Sequence, residues 1–350
     1  MHRLITIAFF IAVAVPSRSL VSSAEPVTLD NIVAPQANQP DEPIAKEFSL
    51  QQAAHFLDSA SLQWQTQRKC MTCHTNYAYL YARPGVSAEA PAHRDVRHFA
   101  EQLVRQRWKE KGPRWDAEVV ATAAALAFND AATTGQLHEV TREALDRMWT
   151  VQREDGGWTW LKCGWPPMES DDHYGVTLAA IAVGVAPDDY LQTAAAKTGL
   201  ANIRKYLKDN PPPTLHHQTM LLWASSYLDE LMSAEEKTTC IEQLLALQKE
   251  DGGWALATLG DWERADGKQQ DLETSDGYGT GFVIYALRRG GVSADAPSIR
   301  RGIDWLKTHQ RESGRWFTRS LNKDSKHFIS HAGTAMAVMA LSSSEPSSNQ

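Results

Sequence analysis

Four cysteines in 350 residues are too few to staple a fold with disulfides. Positive charge is in no surplus either: 35 Lys and Arg stand against 42 Asp and Glu, a formal net charge of −7. No concentrated basic stretch occurs, and without one there is no electrostatic footprint for nucleic acid. Beyond residues 4–15 no apolar run is long enough to span a bilayer. What the chain has instead is tryptophan, 12 in all, within a hydrophobic content of 43%. That builds a substantial core, with large rings packed between elements or around a cavity.

Arg3, the apolar run over residues 4–15 and the small residues Ser22-Ser23-Ala24 read as an export signal over residues 1–24. The run is short for a permanent anchor. Cleaved or not, it puts the body outside the cytoplasm, in the periplasm or otherwise exported, with no stable membrane span after cleavage. Residues 25–47 carry Pro26, Pro35, Pro40 and Pro43 among Ala, Gln, Asn and Asp, a composition that predicts a disordered linker. The Ser-rich stretch 342–350 predicts a disordered tail. The folded part is then a single domain over residues 48–341.

That body repeats itself. Segments beginning at Thr72, Asp116, Asp172, Thr214, Asp276 and Ser330 fit one ungapped frame. Each opens on a residue able to accept hydrogen bonds at a helix start and continues with small and apolar residues at helical spacing. Other amphipathic stretches lie between them, such as 140–152, 237–248 and 299–310. The pattern predicts an all-α chain of six helix hairpins, ~50 residues each.

A second signal ends three of the intervening helices. Gln152-Arg153-Glu154-Asp155-Gly156-Gly157-Trp158 and Gln248-Lys249-Glu250-Asp251-Gly252-Gly253-Trp254 are nearly identical, and Gln310-Arg311-Glu312-Ser313-Gly314-Arg315-Trp316 is a degenerate third copy. The glycine can take the left-handed conformation that stops a helix, and the Trp can pack back on the turn. With Arg301-Gly302 and Trp305-Leu306 ahead of it, the third copy resembles the QW motif of squalene–hopene cyclases and their relatives, a superfamily that includes the protein prenyltransferases. The resemblance covers residues 48–341. It implies an (α/α)6 toroid, six parallel inner helices within an outer ring of opposite direction. The first turns of the inner helices would then face a shared central cavity open to a hydrophobic or isoprenoid ligand. The zinc-ligating Asp-x-Cys and downstream His of the prenyltransferase branch are not found.

Cys70-Met71-Thr72-Cys73-His74 is a CxxCH sequence. Two thiols at this spacing can form thioethers to both vinyl groups of one porphyrin, and the adjacent His then reaches the iron as proximal ligand. The motif predicts one covalent haem c and a periplasmic redox partner, and export agrees with it. The same residues could instead serve a zinc site completed from elsewhere, or a redox-active disulfide. Tyr77 and Tyr81 follow on the same helical face and are expected to line the haem site, with core packing the alternative. For the sixth iron ligand the repeat frame offers His217 and His216 on the helix expected opposite, then His173 and His331. Each could equally line the cavity, and an open sixth position is the remaining option. Cys163 and Cys240 lack metal-like spacing and either pair or stay as separate thiols.

Glu169-Ser170-Asp171-Asp172 stands where squalene–hopene cyclases carry their DxDD motif. The resemblance implies Asp171 as a general acid that protonates an alkene, with Asp172 beside it. A carboxyl kept neutral near other carboxylates is a physical route to such an acid. Here the first Asp is Glu169, and Asp172 also reads as an N-cap. Two functional readings follow: a haem protein on a toroid, doing electron transfer or haem redox chemistry in the cavity, and a terpene-cyclase-like enzyme with an accessory haem.

Overall fold

The computed structural model describes residues 25–324 and 328–344, and the expected export segment, residues 1–24, lies outside them. Among the described residues β-pairing is confined to two isolated bridges, and the regular structure is helical. Each hairpin is an outer helix followed by an inner one. The first pairs α1 (Leu50–Arg68) with α2 (Ala78–Ala82), which a wide π-helical turn at Cys73–Tyr77 extends at its start. In the second, α3 (Pro91–Gln102) runs on through a similar turn to α4 (Trp108–Lys111) and is followed by α5 (Asp116–Thr133). Then come α6 (Glu139–Thr150) with α7 (Asp172–Val185), and α8 (Ala194–Asp209) with α9 (Leu215–Ala224). The last are α10 (Ala234–Ala246) with α11 (Gly277–Arg289), and α12 (Pro297–Thr308) with α13 (Ile329–Ser344). Inner helices pack on one another in chain order, and α13 returns onto α2 to close the ring. This is the six-hairpin toroid expected from the repeats.

The two rings differ as burial demands. α7 and α13 are buried along almost their whole length and are apolar on every side, because neighbours cover them all round. α3 and α12 carry one apolar stripe and turn a polar face outward. Gly281 lies so close to the backbone of Met336 and Ala337 that any side chain there would force α11 and α13 apart.

The three QW turns fasten the outer ring. Each Trp indole donates to a carbonyl of the outer helix before it: Trp158 to Met148 at 3.0 Å, Trp254 to Leu244 at 2.7 Å and Trp316 to Leu306 at 2.8 Å. Gly156, Gly252 and Gly314 have φ of 89°, 93° and 91°, a left-handed conformation that a side chain would strain. The glutamines cross to the next outer helix, Gln152 to the Gly199 carbonyl at 3.1 Å and Gln248 to the Ser298 carbonyl at 2.8 Å. Gln310 donates to the Ser49 carbonyl at 2.9 Å and accepts from the Ser49 N–H at 2.8 Å. That last pair seals the sixth hairpin to the first.

Two boundary expectations are corrected at this seam. Residues 25–47 form a strap over it, not a loose linker. Arg315, where the other copies have glycine, is buried, and its guanidinium reaches Glu42 Oε2 at 2.6 Å and the Gln36 and Ala37 carbonyls at 2.8 and 2.7 Å. Ser330 donates to Asn38 Oδ1 at 2.6 Å, and Ile44 bridges to Arg311. Composition hides the strap because what it offers its arginine partners is largely backbone carbonyls, which every sequence supplies. At the other end, residues 342–344 complete α13 instead of starting a tail, and 345–350 lie outside the described residues. The helix starts also shift. Thr214 and Asp276 cap α9 and α11 as aligned, but α7 is capped by Asp171, not Asp172, and Trp115 holds the cap position of α5. No described helix is long and apolar enough to cross a membrane.

Candidate functional site

α1 stops because Lys69 turns left-handed, φ 53°, and its N–H closes onto the Gln65 carbonyl at 3.0 Å. Cys70 follows in the bend. Thr72 is extended, and its carbonyl accepts from the N–H groups of Thr75 and Tyr77 at 3.3 and 3.2 Å, which starts the first inner helix at Cys73. The CxxCH motif thus spans the crossing from outer to inner ring. Cys73 is buried, and burial pushes its thiol well above the ordinary range. Cys70 is half-buried beside the Arg114 guanidinium.

His74 stands at the rim. Its ring stacks on Phe328 at 5.4 Å and 17° and meets Trp64 edge-on at 4.9 Å. Its Nδ1 lies 2.8 Å from the Thr75 hydroxyl, which is also 3.0 Å from His331 Nδ1. The imidazole borders a cavity of about 210 Å³ walled by Trp64, Trp165, Met168, Phe328 and Ile329, with Glu169 and Ser320 among its polar members. The loop between α6 and α7 supplies much of that wall. Cys163 N–H donates to the Glu169 carbonyl and Glu169 N–H to the Trp165 carbonyl, each at 3.0 Å, and the Trp160 indole holds the Met168 carbonyl at 2.7 Å. Trp64 Nε1 is buried with no hydrogen-bond partner among the described residues.

In its chemistry the lining partly fits a haem: the cleft is aromatic and largely apolar, and one imidazole borders it. Cys70 and Cys73 flank that imidazole in sequence but are not among the wall residues. A zinc site is less well served, because no three His, Cys, Asp or Glu side chains converge among the described residues. All four cysteines are free, with Cys240 buried on α10 and Cys163 exposed on the cavity loop.

Several residues expected here lie elsewhere. Tyr77 is buried with its hydroxyl 2.9 Å from Thr122 Oγ1, and it does not wall the cavity. Tyr81 is seven residues beyond His74, ~10 Å along a helix axis. It packs on Phe128 at 4.9 Å at the opposite end of the ring, beside Tyr285 and Met339. A helix that carries His74 at the mouth must carry Tyr81 away from it.

The four candidate distal histidines separate too. His217 has both ring nitrogens engaged, Nε2 at 3.0 Å from each Asp171 oxygen and Nδ1 at 2.7 Å from Thr214 Oγ1, so neither is left for iron. His216 is buried with Nε2 3.1 Å from the Tyr278 hydroxyl and its ring stacked 4.6 Å from Phe282. His173 packs edge-on against His217 at 5.1 Å. This α7–α9 cluster takes no part in the cavity wall. Burial, then repulsion from His217, lowers His173 to about 4 and puts His216 well below its ordinary value. His331 alone adjoins the motif, through Thr75 and Phe328.

At the acidic motif, burial would raise the Asp171 pKa. The hydrogen bond and charge of His217, with the Tyr174 N–H and the Ser170 hydroxyl, outweigh it and lower the carboxyl to about 2. That direction favours the ionised carboxylate, which caps α7. Asp172 pairs with Arg153 at 2.7 Å and Lys162 at 3.3 Å. The carboxyl that burial does raise is Glu169, and it borders the cavity.

Residues 217–328 match the squalene-hopene cyclase C-terminal domain family. Among solved structures the chain is similar to ent-copalyl diphosphate synthase from Streptomyces platensis, at 16% identity and TM-score 0.50, covering 76% of this chain and 50% of that one. It thus spans about half the length of that enzyme. It is also similar to the type II terpene cyclase MstE from Scytonema, at 13% identity and TM-score 0.50, covering 84% and 98%. A third is an alpha-1,6-mannanase from Salegentibacter, at 11% identity and TM-score 0.51, covering 84% and 99%. Comparison with curated proteins gives no match. At these identities the likeness is one of fold, a terpene-cyclase-like toroid that also hosts a mannanase. One of the three is a terpene cyclase by name and one a copalyl diphosphate synthase, and nothing in the three names speaks of haem.

Proposed function

We propose that this protein is an exported monohaem c protein on a terpene-cyclase-like toroid, with haem attached through Cys70 and Cys73, His74 as proximal ligand, and electron transfer or haem redox chemistry as its task. The supporting observation is that His74, within an intact CxxCH, borders an aromatic cavity at the rim of the inner ring. Bound there, the haem supplies a one-electron iron couple. The chain's own residues do the rest. Phe328 and Trp64 fix the plane of the imidazole, and Thr75 engages its Nδ1. Trp64 Nε1 is buried without a hydrogen-bond partner among the described residues. The apolar wall limits water and so helps set the potential, while a redox partner would meet the open rim.

Protein matured in an export-competent host is expected to show a Soret band that survives denaturation and acid–acetone extraction, and Cys73→Ala is expected to lose it. A colourless wild type, or a pigment that extracts, overturns the proposal.

The family match, the copalyl diphosphate synthase and the type II terpene cyclase favour a second reading, a class II terpene-cyclase-like enzyme. In that reading Glu169, not Asp171, is the cavity-bordering carboxyl able to hold a proton, because burial raises it. Isoprenoid turnover by the wild type that disappears in Glu169→Gln supports it. No turnover of any isoprenoid from monoterpene to triterpene length removes it.

A further inference from the structure

The toroid has a second mouth. The inner helices run parallel, so their C-terminal ends gather at the face away from His74. A cavity of about 330 Å³ opens there, and each hairpin contributes to its wall: Tyr81, Phe128, Val185, Tyr227, Tyr285 and Met339 in chain order. No wall residue carries a formal charge, and none is shared with the rim cavity. The rings form one surface. Tyr81 packs on Phe128 at 4.9 Å, and the buried Trp223 meets Phe128 at 5.5 Å and Tyr285 at 5.1 Å, both edge-on.

We propose that this mouth binds a small organic cation, an alkylated ammonium group. The site stands apart from both the haem and the cyclase readings. Two fields there favour positive charge. Each inner helix presents the negative pole of its dipole, about half a charge, at its last turn, and these ends converge on one opening. The faces of tyrosine and phenylalanine rings are electronegative and attract a cation within about 6 Å. The protein already shows such a contact: the Arg289 guanidinium lies 4.1 Å over the Tyr227 ring. Arg289 is held outside the wall, with its Nε donating to the Ser226 hydroxyl at 2.9 Å. An anion would be desolvated against the helix ends with no wall cation to pair with. A metal ion or a bare ammonium would exchange its water for too few oxygens, because the Ser342 and Ser343 hydroxyls turn to the Gly85 and Ala340 carbonyls at 3.2 and 3.0 Å. An alkylated ammonium carries its charge with weak hydration and an apolar surface, which suits aromatic walls.

The test titrates full-length protein with choline and with its uncharged isostere 3,3-dimethylbutan-1-ol, followed by calorimetry. Choline is expected to bind about tenfold more tightly than the alcohol. Tyr285→Leu is expected to weaken choline binding several-fold, whereas Tyr285→Phe, which keeps the ring face, is expected to retain most of it. Ala132 is an exposed member of the wall, so Ala132→Trp can fill the mouth without disturbing the core, and it is expected to abolish binding. Equal or tighter binding of the alcohol makes the mouth a merely apolar site and overturns the assignment. Choline binding that survives Ala132→Trp places the cation elsewhere and overturns it too, as does a wild type that takes up neither probe.

Discussion

The rim at His74 and the α7–α9 junction at Asp171 were singled out by two motifs, and they are built on opposite principles. At the junction Asp171 is saturated: it accepts from the Tyr174 N–H at 3.1 Å and from Ser170 at 3.0 Å, and both its oxygens meet His217. At the rim the indole N–H of Trp64 has no partner among the described residues, but neither have His173 Nε2 and His216 Nδ1 at the junction. A count of partners therefore does not rank the two sites, and motif matching does not either. The cavity does, because His74 borders it and the junction takes no part in its wall.

His74→Ala tests that contrast with the largest expected effect. The wild-type haem spectrum should be lost, while Asp171→Ala leaves it unchanged; bleaching by Asp171→Ala would erase the distinction. Acid comes next. His173 has a folded pKa of about 4 against an ordinary 6.5, so between those values the unfolded chain takes up a proton that the folded chain refuses. Stability should therefore fall as pH drops through that window, by ~3 kcal/mol from this group. Urea unfolding of His173→Gln should show a shallower fall. Asp171→Ala loses an N-cap, a cost of ~1–2 kcal/mol at neutral pH. Because the Asp171 pKa is depressed from its ordinary 3.8 to about 2, that cost should fade as pH falls through this interval. The smallest effect is expected at the rim. Trp64→Phe removes a donor with no partner among the described residues, and relief of its burial cost should offset the lost ring volume, leaving unfolding of the haem-free protein changed by less than ~1 kcal/mol.

The ring was legible because its information repeats. Six similar segments and three QW turns each restate the same hairpin, so local noise at Asp116 or Ser330 did not hide the period. The register at Asp171 was not legible. Neighbouring aspartates both satisfy the N-cap preference, and only the Tyr174 N–H distinguishes them. Arg315 looked like decay of the motif and is a specialisation of it, since its partners lie some 270 residues away. Met168 sits in a loop with no periodicity to mark it, and it shares a cavity wall with His74 only because the ring closes. Tyr81 misled for the converse reason: sharing a helical face says nothing about depth along the axis.

The clasp of Ser49 with Gln310 joins residues 261 apart, and Phe328 and Ile329, which complete the cavity wall, belong to the last hairpin. A chain made from its N-terminus therefore exposes Cys70 and Cys73 long before it can enclose them. Until the sixth hairpin docks, the molecule is an open arc, and a modifying enzyme has unhindered access to both sulfurs. Once Gln310 and Arg315 engage Ser49 and Glu42, the arc becomes a circle and the wall is complete. On the haem reading the architecture thus imposes a chronology, attachment first and closure second, with the seam as its clock.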